Sequence, residues 1–229
     1  MIQFGNDKIK EIYHGSDKIK EVYYGSELVW FGFKPSYMIL TDDRRINFEI
    51  ENTPIAGLCN YGNSMVINGV SYTKNTIKEI HFESSYNGVT EIGTAFLYGC
   101  TSLTDITLNI PALNSVDGHF LSNCSSLTNV TLNIPALNSV NNAFLYGCTS
   151  LIDITLNFPA LNSVGSYFLS NCSSLTNVTL TTETPPITSS SYFLNNTPNL
   201  SSIYVPANSV NLYLATVPWD SKSGIIKAI

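Results

Sequence analysis

Apolar residues recur along the middle of the chain with a period that belongs to neither a lone helix nor a lone strand. Phe96, Phe120, Phe144 and Phe168 are spaced by 24 residues, and Phe193 follows after 25. Cys100, Cys124, Cys148 and Cys172 keep the same step, with Thr197 in the fifth place. Each unit reads F-L-x-x-C-x-S-L-x-x-I/V-T-L-x-x-P-A-L-N-S-V. In the first copy the apolar set is Phe96, Cys100, Leu103, Ile106, Leu108, Leu113 and Val116. Around 105–108 the alternation is that of a strand, with Ile106 and Leu108 inward and Thr107 outward. A second short extended stretch follows the Pro111 corner, and the Phe96-to-Cys100 arc closes the turn. No single unit buries its own apolar side, so neighbours must stack into one continuous core.

The copies come in pairs. Segments 120–132 and 168–180 are identical, and segments 96–116 and 144–164 differ only at Thr104/Ile152 and Ile110/Phe158. A 48-residue doublet has therefore been duplicated. Ile77, Ile80, Phe82, Val89 and Ile92 continue the inward set backward, and Leu200, Ile203 and Val205 continue it forward. The predicted fold class is mostly β: a solenoid over 76–205, closed by a C-terminal cap over 206–229. Val210, Leu212, Tyr213 and Trp219 are expected to cover the last coil, with one or two helical turns near 208–215.

The first 34 residues carry a different rhythm. FGNDKIKEIY, HGSDKIKEVY and YGSELVWFGF recur every ten residues, with turn residues between strand-like runs. This predicts a small three-stranded meander bearing Tyr13, Tyr23 and Trp30, a sheet too small to stand alone. Such a sheet fits an anchoring or assembly role and leaves room for a homo-oligomer. Residues 35–75 read as a linker and leading cap.

The 103–108 spacing matches the L-x-x-L-x-L core of leucine-rich repeats. The full unit, with Phe96, Cys100, Leu103, Ile106, Leu108 and Val116 in phase, resembles the BspA-like leucine-rich repeats of bacterial surface proteins, protozoa and bacteriophages. That resemblance covers about 76–205 and implies adhesion or ligand binding without catalytic residues. The closing segment, IYVPANSVNLYLA followed by VPW, resembles the usual end of such proteins in gut bacteria. The N-terminal repeats are similar to leaders on virion proteins of gut bacteriophages. Together these imply a virion protein, as a fibre, tail or head decoration. Two alternatives remain: a decoration protein touching only other virion proteins, and a bacterial BspA-like adhesin or interaction protein.

Charge narrows the partners. The net charge is −6, charged residues make up only 12% of the 229, and no Lys or Arg stands between Lys78 and Lys222. A surface without cations cannot neutralise phosphates, so the repeats are expected to bind neither nucleic acid nor anionic lipid. No run approaches the ~18 apolar residues of a membrane span. The first residues lack the basic start and apolar core of a secretory signal. The expectation is a product made in the bacterial host cytoplasm, its five cysteines as thiols, and located in the virion.

The expected partners are other virion proteins through the N-terminal region and a host-surface glycan or protein. Thr107, Thr131, Thr155 and Thr179 line the outward strand face beside Asn109, Asn133 and Asn157. This neutral strip is either a docking face for a hydroxyl-rich or protein ligand, or plain strand surface where Thr is favoured for its branching. Tyr98 and Tyr146 replace Ser122 and Ser170 in alternate coils, near His119 and Tyr167. They serve either as contact residues or as packing between coils. The cysteine column reads as buried apolar positions rather than a metal ladder or a row of disulfides. No cofactor motif and no catalytic set is legible, so no enzymatic activity is expected.

Overall fold

The structure is a computed structural model that describes residues 12–14, 17–19, 21–24, 27–31, 36–48, 62–67, 70–82, 89–188, 190 and 192–229. The chain divides into two compact units, Met1–Pro35 and Ser36–Ile229. In the first unit β1 (Ile12–His14) pairs antiparallel with β2 (Asp17–Ile19), and β3 (Glu21–Tyr24) with β4 (Glu27–Phe31). Among the described residues the ten-residue rhythm thus gives two separate hairpins rather than one three-stranded meander. In the sequence Gly15-Ser16 and Gly25-Ser26 stand between the paired strands. Tyr13, Tyr23 and Trp30 belong to β1, β3 and β4, and their side-chain surroundings lie outside the described residues.

The second unit is mostly β, a leucine-rich-repeat solenoid with parallel sheets. Its broad side comes from β9 (Ile77–Phe82), β11 (Asp105–Asn109), β13 (Asn129–Asn133), β15 (Asp153–Leu156), β17 (Asn177–Leu180) and β18 (Ser202–Val205). Its narrow side is β10 (Glu91–Ile92), β12 (Ser115–Val116), β14 (Ser139–Val140) and β16 (Ser163–Val164), paired parallel in that order. Registers follow the sequence period: Thr107 faces Thr131, Val116 faces Val140, and Thr155 faces Thr179.

Residues 36–48 do more than link. They form a hairpin, β5 (Ser36–Leu40) with β6 (Arg45–Phe48), and β5 adds antiparallel to the edge of β9. That pairing covers the first coil's edge and buries Met38 and Leu40 in the core. A further hairpin, β7 (Ser64–Ile67) with β8 (Val70–Thr73), follows. At the far end, α1 (Val210–Ala215) and a 3-10 turn over Trp219–Ile225 lead into β19 (Ile226–Ala228), which pairs with β18. Trp219 and Tyr213 are buried as expected, but Leu212 is 48% exposed. Tyr213, one residue further round the short helix, occupies the inward place instead.

Phenylalanine forms the axis of the core. Phe96, Phe120, Phe144, Phe168 and Phe193 stack nearly parallel, with centroids 5.4, 5.2, 5.5 and 5.9 Å apart. The column ends edge-on against Trp219, 4.5 Å away, whose Nε1 donates to the Pro186 carbonyl at 3.0 Å. Each stacked pair adds about 0.5–1.5 kcal/mol beyond the burial of its area.

The broad sheet is not continuous. One part runs β13-β11-β9-β5-β6 and the other β15-β17-β18-β19, so β13 and β15 do not pair. The break coincides with a change one column away. Thr104 Oγ1 donates to the Lys78 carbonyl, Thr128 to Thr104, Thr176 to Ile152 and Ser201 to Thr176, at 3.1 to 3.3 Å. The backbone N–H of each of these residues donates to the same carbonyl. The remaining position in the column is Ile152, which has no hydroxyl, and the rung to Thr128 is absent. Ile152 is 52% exposed, and Val130, facing the gap, is only half-buried where Ile106, Ile154 and Val178 are buried. Ile152 and Phe158, the two substitutions separating the third copy from the first, flank β15 on either side.

Candidate functional site

Two surfaces of the solenoid present side chains that the sequence singles out. On the broad side Thr131 and Thr155 are exposed and Thr107 and Thr179 half-buried, all on the outward face. Asn133 Nδ2 donates to Asn109 Oδ1 at 2.7 Å, and Thr181 Oγ1 to Asn157 Oδ1 at 3.0 Å. The ladder beneath the strip is interrupted between β13 and β15, leaving two paired halves, Thr107 with Thr131 and Thr155 with Thr179.

Each half ends on an aromatic ring beside a cation. His81 faces Thr107 in the register and stacks on Tyr37 at 4.9 Å, with the Arg45 guanidinium 3.8 Å from the Tyr37 centroid. Tyr204 faces Thr179, with Lys227 Nζ 5.9 Å from its ring. These flanking residues were missed in the sequence reading. Extending the threonine column by one coil in either direction finds His81 and Tyr204; Tyr37 and Arg45 arrive through an antiparallel hairpin with no repeat to betray it.

The other surface is the arc. Its backbone alternates in handedness: Ala143, Leu145 and Gly147 have φ of 60°, 53° and 71°, the copies at 95–99, 119–123 and 167–171 repeat the pattern, and the last copy keeps it at Leu194 and Asn196. Such residues are uncommon outside glycine and asparagine. They are held here because neighbouring coils bond through them, Leu145 N to Phe120 O at 2.9 Å and Gly147 N to Ser170 O at 2.9 Å. The sequence alternates LYGC with LSNC, and the structure explains the alternation. Asn123 Nδ2 donates to the Tyr98 hydroxyl at 3.0 Å, and Asn171 Nδ2 to the Tyr146 hydroxyl. A side chain at Gly147 would run into Asn123 Oδ1, so the coil following Asn123 needs glycine there, whereas Asn171 is followed by Asn196, whose Nδ2 donates to Asn171 Oδ1 at 2.8 Å. Ser122 Oγ, in the tyrosine's alternate place, donates to the Ala143 carbonyl.

This register brings Tyr98 and Tyr146 together with His119 and Tyr167. Tyr98 meets His119 edge-on at 5.8 Å and 82°, and Tyr146 meets Tyr167 at 5.9 Å and 89°. The four rings, with Asn123 and Ala143, line a cleft of about 290 Å³. Tyr167 is 39% exposed, while Tyr98 and Tyr146 are half-buried, so the tyrosines both pack between coils and face the cleft.

Cys100, Cys124, Cys148 and Cys172 are fully buried thiols; Cys59 lies outside the described residues. The Cys124, Cys148 and Cys172 thiols each approach the carbonyl of the leucine at the arc of the preceding coil, at 3.1 to 3.2 Å. Burial pushes the Cys148 thiol well above the usual range and Cys172 up to about 12. Thiols held neutral in this way are poor nucleophiles and poor metal ligands. Among the described residues no three His, Cys, Asp or Glu side chains gather as a metal site. No helix among them is long and apolar enough to cross a membrane.

The solved structure of a leucine-rich repeat protein from T. pallidum is similar at TM-score 0.50 and 20% identity, covering 78% of this chain and 70% of that one. A leucine-rich repeat protein from Bacteroides ovatus matches at TM-score 0.42 and 23% identity, over 67% of this chain and 42% of that one. A leucine-rich cell surface protein from Faecalibacterium prausnitzii matches at 0.39 and 17%, over 85% and 56%. No curated protein matches the sequence. The family model for the BspA-type leucine-rich repeat region matches residues 90–214 in six copies. With more than half its length in that match, the chain belongs to the BspA-type leucine-rich repeat family.

Proposed function

We propose that the protein is a non-enzymatic recognition protein that uses its repeat surface to bind a host-surface glycan or protein, and that it does so as part of a bacteriophage virion. The observation that carries the binding reading is the pair of outward surfaces, both built from residues 79–221, among which no Lys or Arg occurs: the Thr/Asn face, bordered by Asp105 and Asp153, and the tyrosine arc. Uncharged polar groups and exposed Tyr suit hydroxyl-rich or protein ligands, giving contact area at low entropic cost. Each contact is weak, and display in many copies raises avidity by ~10²–10⁴ without improving any site.

The virion assignment, as fibre, tail or head decoration, rests on the decapeptide repeats of the first 34 residues and their likeness to phage leaders. That unit would attach the protein to other virion proteins. Membership of the BspA-type family favours a second reading, a bacterial adhesin or interaction protein. A third, pure decoration, draws on the near-identity of the copies, since specific sites usually break symmetry.

Mass spectrometry of purified phage particles decides the setting: presence of the chain supports the virion assignment, and its absence overturns it. Saturable binding to host cells, lost when Thr131→Lys and Thr155→Lys are combined, separates recognition from decoration. Cells that never bind the protein leave decoration standing and sink the recognition reading.

A further inference from the structure

The cleft on the arc has the build of a cage for an organic cation. We propose that Tyr98, His119, Tyr146 and Tyr167 bind a trimethylammonium group over Ala143. The inference rests on reading the repeats as a binding surface, and it names the chemistry of one subsite.

The cleft exists because a rung is missing from a ring column. Successive coils place Ala95, His119, Ala143, Tyr167 and Tyr192 at the same position. Tyr167 and Tyr192, in adjacent coils, stack at 4.8 Å and 14°, so a ring on every coil fills this column. Ala143 leaves it open between His119 and Tyr167. Coils separated like β-strands place those two positions about 9.6 Å apart. A planar ring touching both sides would need only about 7–8 Å, whereas a ball-shaped group spans the gap. Tyr98 and Tyr146 stand nearly perpendicular to the two column rings and complete the aromatic lining.

The polar inventory argues in the same direction. Asn123 and Tyr98 bond each other, and Tyr146 already receives Asn171. A sugar needs several hydrogen bonds from its site, while a quaternary ammonium needs none and is held by ring faces. The repeats that carry the cleft are acidic in sequence. From residue 79 to 221 the chain carries Glu79, Glu83, Glu91, Asp105, Asp117, Asp153, Glu183 and Asp220, and no Lys or Arg. Lys74 Nζ, 5.6 Å from the Tyr98 centroid, already places one cation by that ring. Its charge weakens the Tyr98 wall for a second cation, so Tyr146 and Tyr167 supply most of the attraction.

Calorimetric titration of the full chain with choline tests this against its neutral isostere, in which a tert-butyl group replaces trimethylammonium. Choline is expected to bind at least about tenfold more tightly than the isostere. Tyr146→Phe keeps the ring and should keep the affinity. Ala143→Tyr, which places at this position the residue already present at 167 and 192, fills the cleft and should abolish binding at an unchanged melting temperature. Parallel titration with trimethyllysine identifies the carrier: the tighter of the two assigns the group to a choline headgroup or to a methylated protein. No choline or trimethyllysine binding, equal binding of the isostere, tighter binding of a methyl glycoside, or a folded Ala143→Tyr variant that still binds would each overturn the assignment. Host-cell binding by a protein that ignores all these cations would sink the subsite alone and leave the recognition reading intact.

Discussion

Two joints between neighbouring coils are built from nearly the same residues and close differently. Between the first and second copies, β11 and β13 pair over five residues, from Asp105 facing Asn129 to Asn109 facing Asn133. Between the second and third, β13 and β15 do not pair, yet the rest of the joint is intact. Phe120 and Phe144 stack there at 5.2 Å and 4°, the narrow strands keep Val140 facing Val164, and Thr149 Oγ1 reaches the Ser125 carbonyl at 3.3 Å. Coil stacking is thus set by the apolar axis and the arc. Where the strand ladder forms from β9 to β18, the following coil carries a hydroxyl at one position, and where it is interrupted Ile152 stands there.

The largest way to break the comparison is to remove the part both joints share. Phe144 is fully buried and stacks on rings of both neighbouring coils. Phe144→Ala should cost about 3–5 kcal/mol in chemical denaturation, the usual range for an emptied aromatic core position. Loss below 1 kcal/mol would mean the axis does not hold the coils together.

A second effect comes from the thiols buried along that axis. Cys172 is raised to about 12 from an ordinary 9.0, and Cys148 is raised in the same direction, both chiefly by burial. The folded state keeps these protons while the unfolded state loses them above pH 9. Their contribution is complete below pH 9 and is lost as pH climbs toward 12, at roughly 1.4 kcal/mol per pH unit for each thiol. Denaturation midpoints measured from pH 8 to 11 should therefore fall. Cys148→Ser combined with Cys172→Ser should flatten the slope, and an unchanged slope would refute the assignment.

Much of this was legible beforehand, because a repeat prints its inward positions several times over. The Phe column, the strand at 105–108 with its outward Thr107, the buried cysteines and the short helix near 210 all follow from period and alternation. The arc tyrosines were legible as a two-coil column, but their partners were not, since Asn123 reaching Tyr98 depends on the left-handed backbone at the arc. A cap within 35–75 was expected, but not that the β5–β6 hairpin would form it, because the hairpin meets β9 antiparallel and outside the period. Both substitutions in the third copy were visible in the sequence. Their consequence was not, because a threonine on an exposed strand edge looks like surface until its hydroxyl is seen spanning two coils.

On the arc the comparison is between glycine and asparagine coils. Gly147 has φ of 71° and lies against Asn123 Oδ1. Gly147→Ala should cost about 1–2 kcal/mol from its left-handed backbone, plus whatever displacing Asn123 from Tyr98 adds. Adding Asn123→Ala should recover only the second part. A double-mutant cycle with no coupling between the two sites would show that the alternation of LYGC and LSNC is not a packing device.

The finest test acts on the seam itself. Ile152→Thr supplies the missing hydroxyl opposite the Thr128 carbonyl, and Thr176→Ile removes the equivalent one from an intact joint. Each hydrogen bond of this kind is worth about 0.5–1.5 kcal/mol net, so the first variant should gain and the second lose by that order. The spatial readout is more telling than the energy. Amide exchange at 153–156 should slow in Ile152→Thr as β13 and β15 pair, and exchange at 177–180 should quicken in Thr176→Ile. Should Ile152→Thr leave the exchange of β15 unchanged, the seam must be held open by Phe158, whose ring takes the inward place of Ile110 and Ile134 and meets Phe144 edge-on at 6.4 Å. Phe158→Ile would then be the substitution that closes it.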